Sequence, residues 1–176
     1  MGRRAAAGAA CIAALLAGCD VRPRPVDPGA PPPRMRADPP VIEGAFRPIS
    51  ALARARTGAV SVSGLTLTFD RAPLLLTDPL ETAAAEDIAA VGGPSYADLL
   101  LLREPGDVAE IRSVRSEQQD RESLCAPDRA KWLALGLSRT PSGERHLAIA
   151  LFTGEQAPSG GAAAVRLCGV FRYLAG

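Results

Sequence analysis

Apolar and polar positions alternate most regularly between Trp132 and Phe152. Leu133, Leu135 and Leu137 are spaced by smaller residues, and Leu147, Ile149 and Leu151 repeat the spacing after Thr140-Pro141-Ser142-Gly143. A period of two on both sides of a Pro/Gly turn predicts a β-hairpin with one leucine-rich face. Pro158-Ser159-Gly160-Gly161 then marks a turn, and Val165 to Leu174 reads as a third strand. There Leu167, Phe171 and Tyr173 would share one face and Cys168 the other. Ala59 to Phe69 holds two alternating sets out of phase, which a turn at Ser63-Gly64 reconciles by pairing Val62 with Leu65 and Val60 with Leu67; a bulge at Gly64 is the alternative.

Two stretches carry helical punctuation. Pro48 to Thr57 fits a short helix ending at Gly58. Asp78-Pro79-Leu80-Glu81 has a capping acid, proline in the first turn and Glu three residues after the cap. Leu80, Ala84, Ile88 and Val91 would then form its buried stripe, with Gly92-Gly93 as the stop. Tyr96 to Leu102 and Asp107 to Glu117 fit either strand or helix, and Gln118 to Ser123 reads as an exposed loop. The expectation for residues 41–176 is a single, mostly antiparallel β domain, a sheet or small barrel with one or two short helices.

The first forty residues follow different rules. Arg3 and Arg4 precede an almost uncharged run from Ala5 to Gly18, the layout of a secretory signal and too short to span a bilayer. The run ends Leu16-Ala17-Gly18-Cys19, which resembles the lipobox of bacterial lipoproteins. The resemblance implies cleavage between Gly18 and Cys19, a diacylglycerol thioether on the Cys19 thiol and an N-acyl group on the new amine. From Asp20 to Pro40 the chain has eight prolines. Proline fixes φ and removes a donor, so residues 19–40 read as a lipid anchor followed by an extended tether, reaching up to about 65 Å at ~3.1 Å per residue. The organisation expected is a signal peptide over 1–18, anchor and linker over 19–40, and the folded domain over 41–176. The lipobox implies anchoring in a bacterial cell membrane, facing the periplasm. Asp20 directly after the cysteine resembles a signal for retention in the inner membrane.

Removal of Arg3 and Arg4 with the signal moves the formal charge from +1 to −1, so composition implies no nucleic-acid partner. Of four cysteines, Cys11 leaves with the signal and Cys19 is the lipid site. Cys125 and Cys168 are expected to pair as a structural disulfide in an oxidising compartment.

Candidate chemistry is sparse. The one histidine, His146, follows the Ser142-Gly143 turn and is expected at the surface end of a strand; no G-x-S-x-G elbow or S-x-x-K motif accompanies it. The two remaining cysteines and one histidine are too few for a structural zinc site. Glu86-Asp87 and the acids from Glu117 to Glu122 read as solvated faces. No catalytic residue, metal or cofactor is assigned beyond the lipid on Cys19. Trp132, Phe152, Phe171 and Tyr173 would line a ligand pocket if they turned to one side; at strand spacing they fit a core. Ser142-Gly143-Glu144-Arg145-His146 is similar to the S-G-x-x-Y motif of membrane-bound c-type lysozyme inhibitors, also small β-rich lipoproteins, whose Ser-Gly turn enters the lysozyme cleft. Here His146 replaces the tyrosine. The expected function is therefore non-enzymatic: a lipid-anchored envelope protein presenting a disulfide-bonded domain to another envelope protein or to peptidoglycan. Trp132, Ser142, Gly143 and His146 are the candidate contacts. The alternative is a small-ligand-binding or lysozyme-inhibitor-like lipoprotein.

Overall fold

A computed structural model describes residues 42–176. The expected signal peptide, Cys19 and the tether lie outside the described residues. Eight antiparallel strands run in chain order around a closed barrel: β1 Gly44–Pro48, β2 Val60–Ser63, β3 Thr66–Phe69, β4 Leu75–Ala84, β5 Val108–Glu117, β6 Trp132–Arg139, β7 Arg145–Thr153 and β8 Arg166–Ala175. β8 returns to β1 with Phe46 opposite Ala175 and Pro48 opposite Tyr173. The β-rich class and the small-barrel architecture expected from the sequence are present.

The alternation in β6 and β7 separates two apolar layers. Leu133, Leu135, Leu147, Ile149 and Leu151 join Phe46, Val60, Val62, Leu67, Leu75, Phe171 and Tyr173 in the barrel interior. The smaller residues between them are buried as well. Ala134, Ala148, Ala150 and Phe152 face outward under helix α2, Tyr96–Leu100, and pack against Tyr96, Leu99, Leu100 and Leu102. Small side chains on that face let the helix sit close to the strands. A Cβ on Gly136 would lie 2.7 Å from Leu100 Cβ and 2.9 Å from Leu102 Cδ2, so α2 presses directly on the β6 backbone.

Each end of the barrel is closed by a different device. Helix α1, Ala51–Arg56, is capped by Ser50, whose side chain accepts from Ala53 N–H, and it packs Ala53 into the interior. It then ends at Thr57 and Gly58, as its sequence predicts. Thr57 Oγ1 lies 2.8 Å from Tyr173 Oη, tying the helix end to β8. Arginines sew this end together through backbone carbonyls: Arg56 donates to Ser123 O and Leu124 O, and Arg121 to Asp70 O and Ala72 O. At the opposite end Ile42 is buried on the interior cluster. Glu43 accepts from Gly64 N–H, Arg145 donates to Glu43 O, and the Arg145 guanidinium lies 5.3 Å from the centre of the Phe46 ring.

Three local expectations are corrected. The segment expected to be a helix from Asp78 is strand as far as Ala84 and turns beyond it, because β4 pairs with β5 from Leu75–Glu117 to Ala84–Val108, a non-local ladder that outweighs the local cap. Leu80, Ile88 and Val91 are consequently exposed rather than forming a buried stripe. Pro79 is tolerated because Thr77 N–H makes the last bond to the β2–β3 turn, at Leu65 O, and Pro79 directs its missing N–H along the same side after that neighbour has ended. The β2–β3 loop is Gly64-Leu65 instead of Ser63-Gly64, with Val62 opposite Leu67 and Val60 opposite Phe69. Gly64 supplies the positive φ, +55°, and Phe69 gains a buried partner while Leu65 stays exposed. In β8 the ladder passes from Leu151–Gly169 to Phe152–Leu167, leaving Cys168 as a bulge residue. The bulge reverses the phase: Leu167 is exposed, and Cys168 packs against the interior with Phe171 and Tyr173.

Candidate functional site

The Cys125–Cys168 disulfide expected from the sequence is formed, with a Cα–Cα distance of 5.0 Å. It ties the β5–β6 connection to the last strand, next to α1 and the arginine contacts.

The β6–β7 tip, at the other end, is a fixed projection. Thr140 N–H donates to Glu144 O and Gly143 N–H to Thr140 O, closing the turn, and Gly143 holds φ +85°. Thr140 Oγ1 accepts from Glu144 N–H and lies 2.8 Å from Ser142 Oγ, while Ser142 Oγ donates to Glu144 Oε2 at 3.2 Å. Arg139 donates to Gly143 O. Ser142 and Gly143 are exposed at its apex. The hydroxyls and guanidinium thus pre-order a polar surface at little further entropic cost on contact.

His146 does not belong to that surface. It is buried, 6% exposed, with Nδ1 3.5 Å from Ser138 Oγ. The surface expectation fails because the ring is flanked by cross-strand neighbours, Ser138 on β6 and Leu174 on β8, with Arg172 close by, which the strand's own sequence does not reveal. Burial first, and the Arg172 charge second, lower the His146 pKa below its ordinary value. The imidazole is therefore neutral at neutral pH. The neighbouring guanidinium opposes the imidazolium that a general base would become.

The four aromatic candidates are divided between the layers. Phe171 and Tyr173 fill the interior, whereas Phe152 and Trp132 belong to the outer layer. Trp132 is half-buried and its indole N–H donates to Gly154 O at 3.0 Å. The structure therefore does not bring Trp132 and Phe171 to one pocket. The Tyr96 and Tyr173 phenols are both pushed up by burial; Glu81 and Asp87 add to the rise at Tyr96, whose hydroxyl donates to Pro158 O.

Sequence reasoning missed the buried charges. Arg112 and Glu110 are 1% and 2% exposed inside the barrel, paired at 2.8 Å, with Arg112 also donating to Gly64 O. Their spacing of two residues on a strand was the available signal for a shared face. Glu117, expected among solvated acids, is buried at the end of β5 opposite Leu75. Among the described residues, no group of three or more His, Cys, Asp or Glu side chains is arranged to hold a metal ion.

The geometry defines a packed, up-and-down eight-stranded barrel with one pinned polar tip. No family model, curated protein or solved structure matches this chain.

Proposed function

We propose that this protein is a lipid-anchored, non-enzymatic component of a bacterial envelope, held to the membrane through acylated Cys19 and presenting its barrel to the periplasm as an adaptor. The observation that carries the reading is the β6–β7 tip: an exposed polar turn, internally bonded, on a barrel whose interior is occupied by its own side chains. Such a body is suited to contact by surface. The partner is an envelope protein or peptidoglycan, and Asp20 favours the inner membrane. A photo-crosslinking residue in place of Ser142, in the full chain expressed in cells, tests it. A discrete adduct from Ser142 and none from exposed Asp120 at the opposite end is expected. Equal, diffuse labelling at both positions would refute a contact through the tip. Intact mass of the mature chain tests the anchor: diacylglycerol and an N-acyl group on Cys19 are expected, and an unmodified cysteine rejects it.

The exposure of Ser142-Gly143 also supports a second reading, a lysozyme-inhibitor-like role in which the same tip enters an enzyme cleft. Purified protein that leaves lysozyme activity unchanged at micromolar concentration excludes it.

A further inference from the structure

The barrel wall opens where β5 and β6 part. Their register runs from Glu110–Leu135 to Ser113–Trp132, followed by a bond from Val114 N–H to Lys131 O. Beyond it β5 continues through Arg115, Ser116 and Glu117, while the chain leading into β6 diverges at Arg129 and Ala130. A cleft of about 250 Å³ occupies the gap, lined by these residues with Val114 and Gln119.

Glu117 is the unexplained group in its wall. Its side chain is 2% exposed, and neither carboxylate oxygen has a hydrogen-bond donor among the described residues. Among the described residues the nearest cation, Arg129 Nη1, lies 3.9 Å from Oε2, beyond hydrogen-bond reach, and that side chain is half exposed. Arg115 does not compensate, since both Asp78 carboxylate oxygens hold it. A buried carboxylate without donors is costly, and native structures retain few such groups. Other buried charges here are better served: Arg112 has Glu110, Gly64 O and Thr77 within reach.

We propose that this cleft binds one guanidinium or primary ammonium group on a slender aliphatic stem, with Glu117 as its counter-ion. The inner group is an acceptor only, which selects a donor cation and rejects anions. Val114 and Ala130 supply apolar wall for the stem, and the volume limits the guest to about one side chain. Arg129 swings away as the guest enters. The site is independent of the Ser142 tip, which lies at the other end of the barrel.

Titration calorimetry on the full chain tests it, with propylguanidinium and n-butylammonium as free probes and the capped peptide Ala-Arg-Ala as the tethered one. Wild-type protein is expected to bind with millimolar affinity, and Glu117→Gln, close in shape, to weaken binding by about tenfold or more. Arg129→Ala, which keeps the carboxylate and removes its competitor, is expected to bind the probes more tightly. Similar affinity for free and peptide guanidinium marks a small-molecule site; clearly tighter peptide binding marks a site for a partner's arginine. No heat with any probe at tens of millimolar, or unchanged affinity in both variants, overturns the proposal.

Discussion

Breaking the Cys125–Cys168 bond leaves the native contacts almost intact, which makes its cost calculable. The two residues are 43 apart in sequence. In the chain-entropy account a closed loop of that length removes about 13 cal/mol/K from the unfolded ensemble, roughly 4 kcal/mol at 25 °C. Cys125 is buried against the interior and Cys168 is partly so, so reduction, which keeps every heavy atom, isolates the cross-link from packing. For a domain of this size ~4 kcal/mol corresponds to a fall in Tm of roughly 14 °C. The assay is thermal and urea unfolding of the same protein with and without a phosphine reductant. The urea slope should rise on reduction, because the opened unfolded chain exposes more surface. A fall of less than about 4 °C, with an unchanged slope, would show that the denatured state is already restrained near these residues and would refute the loop-entropy reasoning.

Three further outcomes follow from the packing. Arg112→Met alone should destabilise by about 3–5 kcal/mol by stranding Glu110, while Arg112→Met with Glu110→Leu should recover most of the loss; chemical denaturation of the two variants checks this. Gly136→Val should cost about 1–3 kcal/mol or more, since its side chain meets Leu100 and Leu102, and amide exchange should show α2 loosened ahead of the barrel. Stability should fall as pH drops below the ordinary histidine value of 6.5, because unfolded His146 takes up a proton that the folded imidazole resists down to a lower pH. Urea midpoints measured at pH 7.5 and 5.0 check the sign, and His146→Gln should remove that component of the slope.

What was legible in the chain was whatever rested on neighbours in sequence. The β6–β7 hairpin could be read because alternation and turn chemistry agree over Trp132 to Phe152, and the disulfide because the cysteine count left one pairing. Asp78-Pro79-Leu80-Glu81 misled for the same reason. Its local cap is sound, and only pairing with a strand some thirty residues further on makes it β4. Helix α2, Tyr96–Leu100, is too short to show a period, although Ser95 with Asp98 three residues later was its start signal. The candidate site was half legible. The Ser142 tip stands out as turn chemistry, but the burial of His146 and Glu117 is imposed by segments that arrive from elsewhere in the chain.

The meander has a consequence in time. Every ladder but one joins strands adjacent in the chain; closure alone must wait for β8 to meet β1. A chain delivered amino end first therefore has seven strands in place while β1 and β7 still show bare edges, Thr57 lacks Tyr173, and Cys125 lacks Cys168. The last strand supplies all three together, converting an open sheet into a sealed body in one event. Loss of β8 would remove far more than its share of the structure: it would leave two unpaired edges, the form of a β-sheet most prone to capture a neighbouring chain.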